Sequence, residues 1–424
     1  MLSLKRLLKI ISNNKVLVKN FTSLSLLQLA NYIFPVITLP YLVRVLGPEK
    51  YGVINFAAAF SAYFVIITDY GFNLSATQEI SVNRNDKEKV SEIFSSVLTI
   101  KIILFFLSSG IFFLIVNMFE LFSNDAGLYS IMFIGVVGIV LFPLWVYQSV
   151  EQMKYILIIN VAIRSVTVVS IFLLVKVEND YLLLAVIYTI TQVMTGITGL
   201  FFAIRKFDLR YLFPSKVQLL EQLKKGWNLF LSSIWINLYT TSNVFILGLF
   251  APNSVVGYYS AADKVRIAFQ GILSSMSQSV FPYVNKLLAE SYQKFLSFNR
   301  KLLKISVIIG IIISSSLFLF AEPIVKIVLG NEYSPSVIVL RIIAWLPLII
   351  FLSNVFGIQT MLPLNYQKRF SQILFLAALI NLMISFSIVP SYFEIGTAVS
   401  MLVTEIFVTL SFYIFIRMKR IPVI

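Results

Sequence analysis

A chain of 424 residues that is 58% apolar and only 12% charged, with a mean hydropathy of +0.89, does not have the composition of a soluble enzyme. Soluble domains carry about 25% charged residues. The sequence has no His and no Cys, which excludes zinc sites, thiol chemistry, iron–sulfur clusters and any His-based triad. The net charge of +15 would suggest nucleic acid in a soluble chain, so its placement along the sequence decides its meaning.

Apolar runs and their polar breaks predict twelve spans, near residues 21–43, 52–76, 93–117, 128–149, 155–175, 181–204, 227–250, 257–281, 303–321, 336–360, 370–389 and 395–416. Twelve helices of about 20 residues use roughly 240 residues, which leaves loops and tails but no sizeable soluble domain. Gly47-Pro48, Ala251-Pro252 and Pro390-Ser391 supply turn chemistry at three of the breaks. The runs are far longer than the roughly 10-residue alternating segments of a β-barrel, so the expected class is an all-α integral membrane protein.

With the N-terminus placed in the cytoplasm, one set of loops and tails holds 25 Lys and Arg, the opposite set holds 4 (Arg44, Lys50, Lys176 and Lys326), and 5 lie within spans. That asymmetry is a positive-inside signal, with both ends cytoplasmic and an even number of spans. The excess charge is therefore a feature of topology and lipid contact, and nucleic acid is not an expected partner. Residues 1–20 alternate leucines and isoleucines with Lys5, Arg6 and Lys9, as in an amphipathic helix lying on anionic lipid. No small-residue cleavage site follows, so the segment does not read as a signal peptide.

The stretch from Leu46 through Gly52 recurs loosely from Phe250 through Gly257, Pro143-Leu144 recurs as Pro347-Leu348, and Asn31 corresponds to Asn237, at offsets of 204 to 206. These matches predict two six-helix lobes, 21–204 and 227–416, related by a parallel pseudo-two-fold repeat. Residues 205–226 would be the cytoplasmic linker between them and 417–424 a basic tail. Gly135-x-x-Gly138 and Gly196-x-x-Gly199 lack the Gly-x-x-x-Gly spacing and are given no weight as packing motifs.

Ionisable residues inside a membrane are costly and usually face a cavity or a partner. The basic set is Lys101, Arg164, Lys264, Arg266 and Arg341, with Arg44 at the outer end of the first span; the acidic set is Asp69, Asp263 and Glu405. Lys101 and Arg44 lie near enough to an interface for snorkelling to be the favoured reading. Asp263 and Arg266, three apart, can form an intrahelical pair. Arg164, Lys264 and Arg341 have no acidic residue one turn away and are expected to line a cavity; Asn160 shares a helix face with Arg164. Gln28 with Asn31, and Asn237 with Thr241, suit either interhelical hydrogen bonding or a binding surface. Asp69, Asp263 and Glu405 are the candidates for ion coupling. No P-loop is present, and the outer loops are too short for a catalytic domain. A cavity richer in cations than anions fits carriage of an anionic substrate, with no cofactor.

The segments Leu39-Pro40-Tyr41-Leu42-Val43-Arg44-Val45-Leu46-Gly47-Pro48-Glu49-Lys50-Tyr51-Gly52, Thr68-Asp69-Tyr70-Gly71-Phe72-Asn73-Leu74-Ser75-Ala76-Thr77 and Gly257-Tyr258-Tyr259-Ser260-Ala261-Ala262-Asp263-Lys264 resemble, in order, those of O-antigen (Wzx-type) polysaccharide flippases. These belong to the superfamily of multidrug extruders and lipid II flippases. Gln78 stands where relatives often have a basic residue. The resemblance implies a two-lobed, twelve-helix transporter of the bacterial inner membrane. Its substrate would be an undecaprenyl-pyrophosphate-linked oligosaccharide, whose head group cannot cross hydrocarbon unaided. Further candidate partners are membrane lipids, a polysaccharide polymerase and a chain-length regulator. The resemblance also places helices 1, 2, 7 and 8 around the cleft, which raises Arg44, Asp69, Lys264 and Arg266 above Lys101. If Asp263 neutralises Arg266, Lys264 is the cation expected to meet the pyrophosphate, together with Arg44. The competing expectations are a multidrug extruder or lipid II flippase of the same fold and, from another class, a membrane polysaccharide polymerase.

Overall fold

The computed structural model describes residues 15–422, and every regular element among them is helical. Residues 1–14 of the expected amphipathic segment and residues 423–424 of the tail lie outside the described residues. In chain order the helices are α1 (Lys15–Asp69), α2 (Phe72–Val82), α3 (Lys87–Met118), α4 (Glu120–Ser123), α5 (Ala126–Ile134), α6 (Val136–Leu141), α7 (Leu144–Ser149), α8 (Met153–Leu174), α9 (Tyr181–Phe207), α10 (Lys216–Thr240), α11 (Ser242–Phe250), α12 (Asn253–Glu290), α13 (Tyr292–Leu319), α14 (Ala321–Ile324), α15 (Ser336–Ile343), α16 (Leu346–Phe356) and α17 (Gln367–Met418). Eight helical runs among the described residues are long and apolar enough to cross a membrane. Phe106, Leu107, Phe113 and Leu173 are exposed on such runs, as suits a protein whose solvent is lipid. The chain is a multi-pass membrane protein.

Local chemistry explains where the helices begin and bend. Asp86 starts α3, its carboxylate accepting from the backbone N–H groups of Glu88 at 3.1 Å and Lys89 at 3.0 Å. Asp180 accepts from Lys176 and Val177 at 2.7 and 2.9 Å just before α9. These two backbone donors hold its carboxyl below the usual carboxylate range. Inside α1 the helix breaks at Gly47, whose φ of 65° suits a residue without a Cβ, and Pro48 then removes a donor. Inside α17 the break is Phe393 at φ 43°, three residues after Pro390.

The helices group into two compact units. The first contains residues 15–31, 60–175 and 182–233, and the second contains 32–59, 176–181 and 234–422. In the first, Phe72, Ile80, Phe94, Val97, Trp145 and Tyr147 form a buried core. Gly138 and Gly196 let α6 and α9 meet at the backbone: a Cβ on Gly196 would stand 2.2 Å from the Gly138 carbonyl oxygen. The two Gly-x-x-Gly segments given no weight above are thus a helix contact after all. The requirement is one small residue on each helix at the crossing point, whatever the spacing within a helix.

In the second unit Phe295, Phe356, Met361, Ala377 and Phe412 build the core. Beside it Asn381 donates to Thr404 Oγ1 at 3.1 Å and to Ser400 Oγ at 3.3 Å, joining the two arms of α17. Gly52 packs directly on the start of α12, where an added Cβ would lie 1.7 Å from the Asn253 carbonyl oxygen. Reciprocally, a Cβ on Gly257 would lie 2.0 Å from the Pro48 carbonyl oxygen.

Candidate functional site

The first unit contains a half-open cavity of about 400 Å³ whose lining includes Asn31, Asp69, Asn73, Lys101, Asn160, Arg164 and Gln192. Pockets for small ligands run from about 300 to 1,000 Å³, so this one has room for a charged head group or a sugar. The elements that deliver these groups are distant in sequence: Asp69 ends α1, Asn73 begins α2, Lys101 lies midway along α3, and Asn160 and Arg164 share one face of α8.

Lys101 is buried, with its side chain 1% exposed. Its ammonium donates to the Ile139 carbonyl at 3.1 Å, lies 3.4 Å from Asp69 Oδ1 and sits 4.8 Å from the centre of the Trp145 ring. A carboxylate, a carbonyl and an aromatic face together replace the hydration that burial removes. This corrects the snorkelling expectation. The predicted span begins near residue 93, so Lys101 stands 8 residues along it, roughly 12 Å at 1.5 Å per residue and still beyond the reach of a lysine side chain.

Asp69 Oδ1 also accepts from Asn73 Nδ2 at 2.8 Å, and the Asn73 side-chain oxygen has no hydrogen-bond partner among the described residues. Arg164 donates through Nη1 to Asn31 Oδ1. Asn160 Nδ2 is turned back to the Ile156 carbonyl at 2.9 Å. Two cations thus share the cavity with one carboxylate, and the amides of Asn31, Asn73, Asn160 and Gln192 and the hydroxyls of Thr191 and Thr195 are set in an otherwise apolar wall. Such a lining can bind an anion together with hydroxyl-rich groups.

The second unit holds a different cluster. Arg266 is buried; its Nε donates to Asp263 Oδ1 at 2.7 Å and its Nη1 donates to Gln270 Oε1. The buried carboxyl of Glu405 on α17 lies close enough to interact electrostatically with Arg266. Tyr32, Arg266, Ile267, Gln270 and Gly271 surround a hollow of about 190 Å³.

The other expected site residues are placed as follows. Arg44 donates through Nη2 to the Ile327 carbonyl, at a single π-turn spanning Val325–Leu329. Lys264 is exposed on α12, and Arg341 is exposed at the last turn of α15. Asn237 is half-buried on α10, where its carbonyl accepts from Thr241 N at 2.8 Å. The structure therefore brings Asn31, Asp69 and Arg164 into one cavity and Asp263, Arg266 and Glu405 into one cluster, while Arg44, Lys264, Arg341 and Asn237 join neither lining. Lys101, Asn73 and Gln192 were missed as site residues. An acidic residue and Lys101, both inside predicted spans, were the only advance signal for that pair.

Comparison with known proteins places these features in context. The sequence profile described as "Polysaccharide biosynthesis protein" matches residues 17–288. A protein of Escherichia coli (strain K12) named for O-antigen transport is 33% identical over 97% of this chain and 99% of its own length. Among solved structures, the lipid II flippase MurJ in an inward closed conformation superposes with a TM-score of 0.72 at 12% identity, over 94% of this chain and 87% of that one. An inward-facing multidrug resistance transporter of the MATE family gives 0.71 at 13% identity, over 94% and 98%. At such identities the two structures speak for the fold alone.

Proposed function

Because this chain belongs to the polysaccharide biosynthesis protein family, we propose that it is a flippase. It would carry polyprenyl-pyrophosphate-linked oligosaccharide repeat units of the O-antigen type across the bacterial inner membrane by alternating access. The observation that carries this reading is the cavity of the first unit, where Lys101 and Arg164 outnumber Asp69 among side chains able to bind sugars. The pyrophosphate engages Arg164, with Lys101 held in place by Asp69. Asn31, Asn160 and Gln192 meet sugar hydroxyls, and the polyprenyl tail stays in lipid. Arg266 forms a second anion-binding point in the other unit, and the exposed Lys264, Arg341 and Arg44 with Asn237 add contacts along the path. Asp69, Asp263 and Glu405 are the carboxylates through which a coupled proton or cation would act.

Twelve spans remain the proposed count. Splitting the eight long runs at Gly47 and Phe393 makes ten, and adding residues 216–250 and Asn253–Glu290 makes twelve. The reciprocal contact of Gly52 with residue 253 and of Gly257 with residue 48 supports a two-fold relation between lobes 21–204 and 227–416, joined by the linker 205–226. The positive-inside pattern supports a topology with both ends in the cytoplasm.

The test is made in a strain lacking the gene, scored by lipid-linked repeat units exposed on each leaflet. The wild-type chain should restore outer-leaflet units, and Arg164→Ala should lower the rate at least tenfold while accumulating normally. Arg164→Lys should keep part of the activity, because a point charge still meets the phosphate. Outer-leaflet units that are undiminished in the deletion strain would refute the proposal.

A further inference from the structure

The two arms of α17 carry a surface groove of about 760 Å³ that the transport reading does not use. Its walls include Phe375, Leu376, Ile414 and Met418, and its cations are Arg369 on the first arm and Lys419 just beyond the second. Leu376, Ile414 and Met418 are exposed, so the groove opens on the surface. From Arg369 to Leu376 the helix rises roughly 10 Å at 1.5 Å per residue, so the apolar wall runs well beyond the charged end. Arg369 donates to Gln372 Oε1 at 3.0 Å and Lys419 lies 5.9 Å from the centre of the Tyr366 ring. Among the described residues neither is in an ion pair. Lys368, Arg417 and Arg420 are chain neighbours of these two cations, and the sequence has no acidic residue in 361–393 or 406–424. The rim is anchored, since Arg300 Nε donates to the Pro422 carbonyl at 2.7 Å.

We propose that this groove seats an anionic glycerophospholipid, its phosphate at the Arg369 and Lys419 end and an acyl chain along Leu376 and Ile414. Concentrated cations beside an apolar channel are complementary to a lipid that carries charge and chain together, whereas a zwitterionic headgroup gains little from them. The leaflet would be the cytoplasmic one, a detail that rests on the positive-inside topology while the binding site does not.

The experiment uses the purified full chain, delipidated in neutral detergent. Phosphatidylglycerol and phosphatidylcholine of equal chain length are titrated separately, reading retained lipid by native mass spectrometry and the thermal unfolding midpoint. Phosphatidylglycerol should bind at least tenfold more tightly and raise the midpoint. At about fivefold per cation, Arg369→Gln with Lys419→Gln should weaken it roughly 25-fold, with the lipid-free midpoint unchanged. Leu376→Trp, which fills the groove and keeps both cations, should also lose binding; it decides the matter if the double variant does not fold. Equal affinity for the two lipids, or unaltered phosphatidylglycerol binding in either variant, would overturn the assignment. Displacement of phosphatidylglycerol by equimolar undecaprenyl phosphate would overturn it too, giving the groove to the transported lipid instead.

Discussion

In the first unit the buried cation finds its carboxylate across helices, Lys101 of α3 reaching Asp69 of α1, whereas in the second Arg266 finds Asp263 three residues along the same helix. The cross-helix pair borders a cavity of about 400 Å³, and the intrahelical pair borders a hollow of about 190 Å³. An ion pair within one helix is a local arrangement that survives movement of that helix as a body. A pair between helices ties their relative position to the charge state of both partners, and it senses whatever enters the space between them. The first unit is therefore the better placed of the two to couple ligand charge to helix position.

The largest expected effect is on the cross-helix pair. Lys101→Met leaves Asp69 without its ammonium, and Asp69→Asn leaves a charge on a fully buried lysine. Removing one partner of a buried pair costs about 3–5 kcal/mol, and the partial exposure of Asp69 puts Lys101→Met toward the lower end. The double variant should be less destabilised than the two single costs together, by at least ~1.5 kcal/mol in a thermal unfolding cycle. Simple additivity would show that the two groups do not sense each other, and the contrast between the units would lose its basis.

Next comes the backbone seam in the second unit. Gly257→Ala places a methyl against the Pro48 carbonyl, a backbone atom that cannot rotate away, so a loss of about 1–3 kcal/mol in stability is expected. Gly127→Ala, where an added Cβ meets nothing within 4 Å, is the matched control and should leave the unfolding midpoint in place. Equal midpoints for both variants would mean the seam relaxes freely.

The intrahelical pair should yield less. Asp263→Asn keeps a polar acceptor beside Arg266, which also retains Gln270 and the field of Glu405, so export should fall no more than about threefold, roughly 0.6 kcal/mol. A loss of export as large as that of Arg164→Ala would make the second unit an equal partner in coupling. Lys264→Ala, at an exposed position, should show the smallest change, a reduction of no more than about twofold in export rate, roughly 0.4 kcal/mol. Loss of export matching Arg164→Ala would move the phosphate site from the first cavity to α12.

What could be read from residues alone follows from local rules. Run length and hydropathy set the helical membrane class, Lys and Arg asymmetry set the proposed topology, and the i, i+3 spacing of Asp263 and Arg266 offered a pair that the helix repeat brings within reach. The shared face of Asn160 and Arg164 follows from the same repeat. The pairing of Lys101 with Asp69, the hydrogen bond from Arg44 to a carbonyl 283 residues away and the meeting of Gly138 with Gly196 were decided only by tertiary structure. In a soluble protein an apolar stripe marks the face that packs, because the other face must meet water. Here lipid is as apolar as the protein interior, so both faces of a helix are written in the same residues. Periodicity then fixes which side chains travel together on one helix but not which neighbour they turn toward.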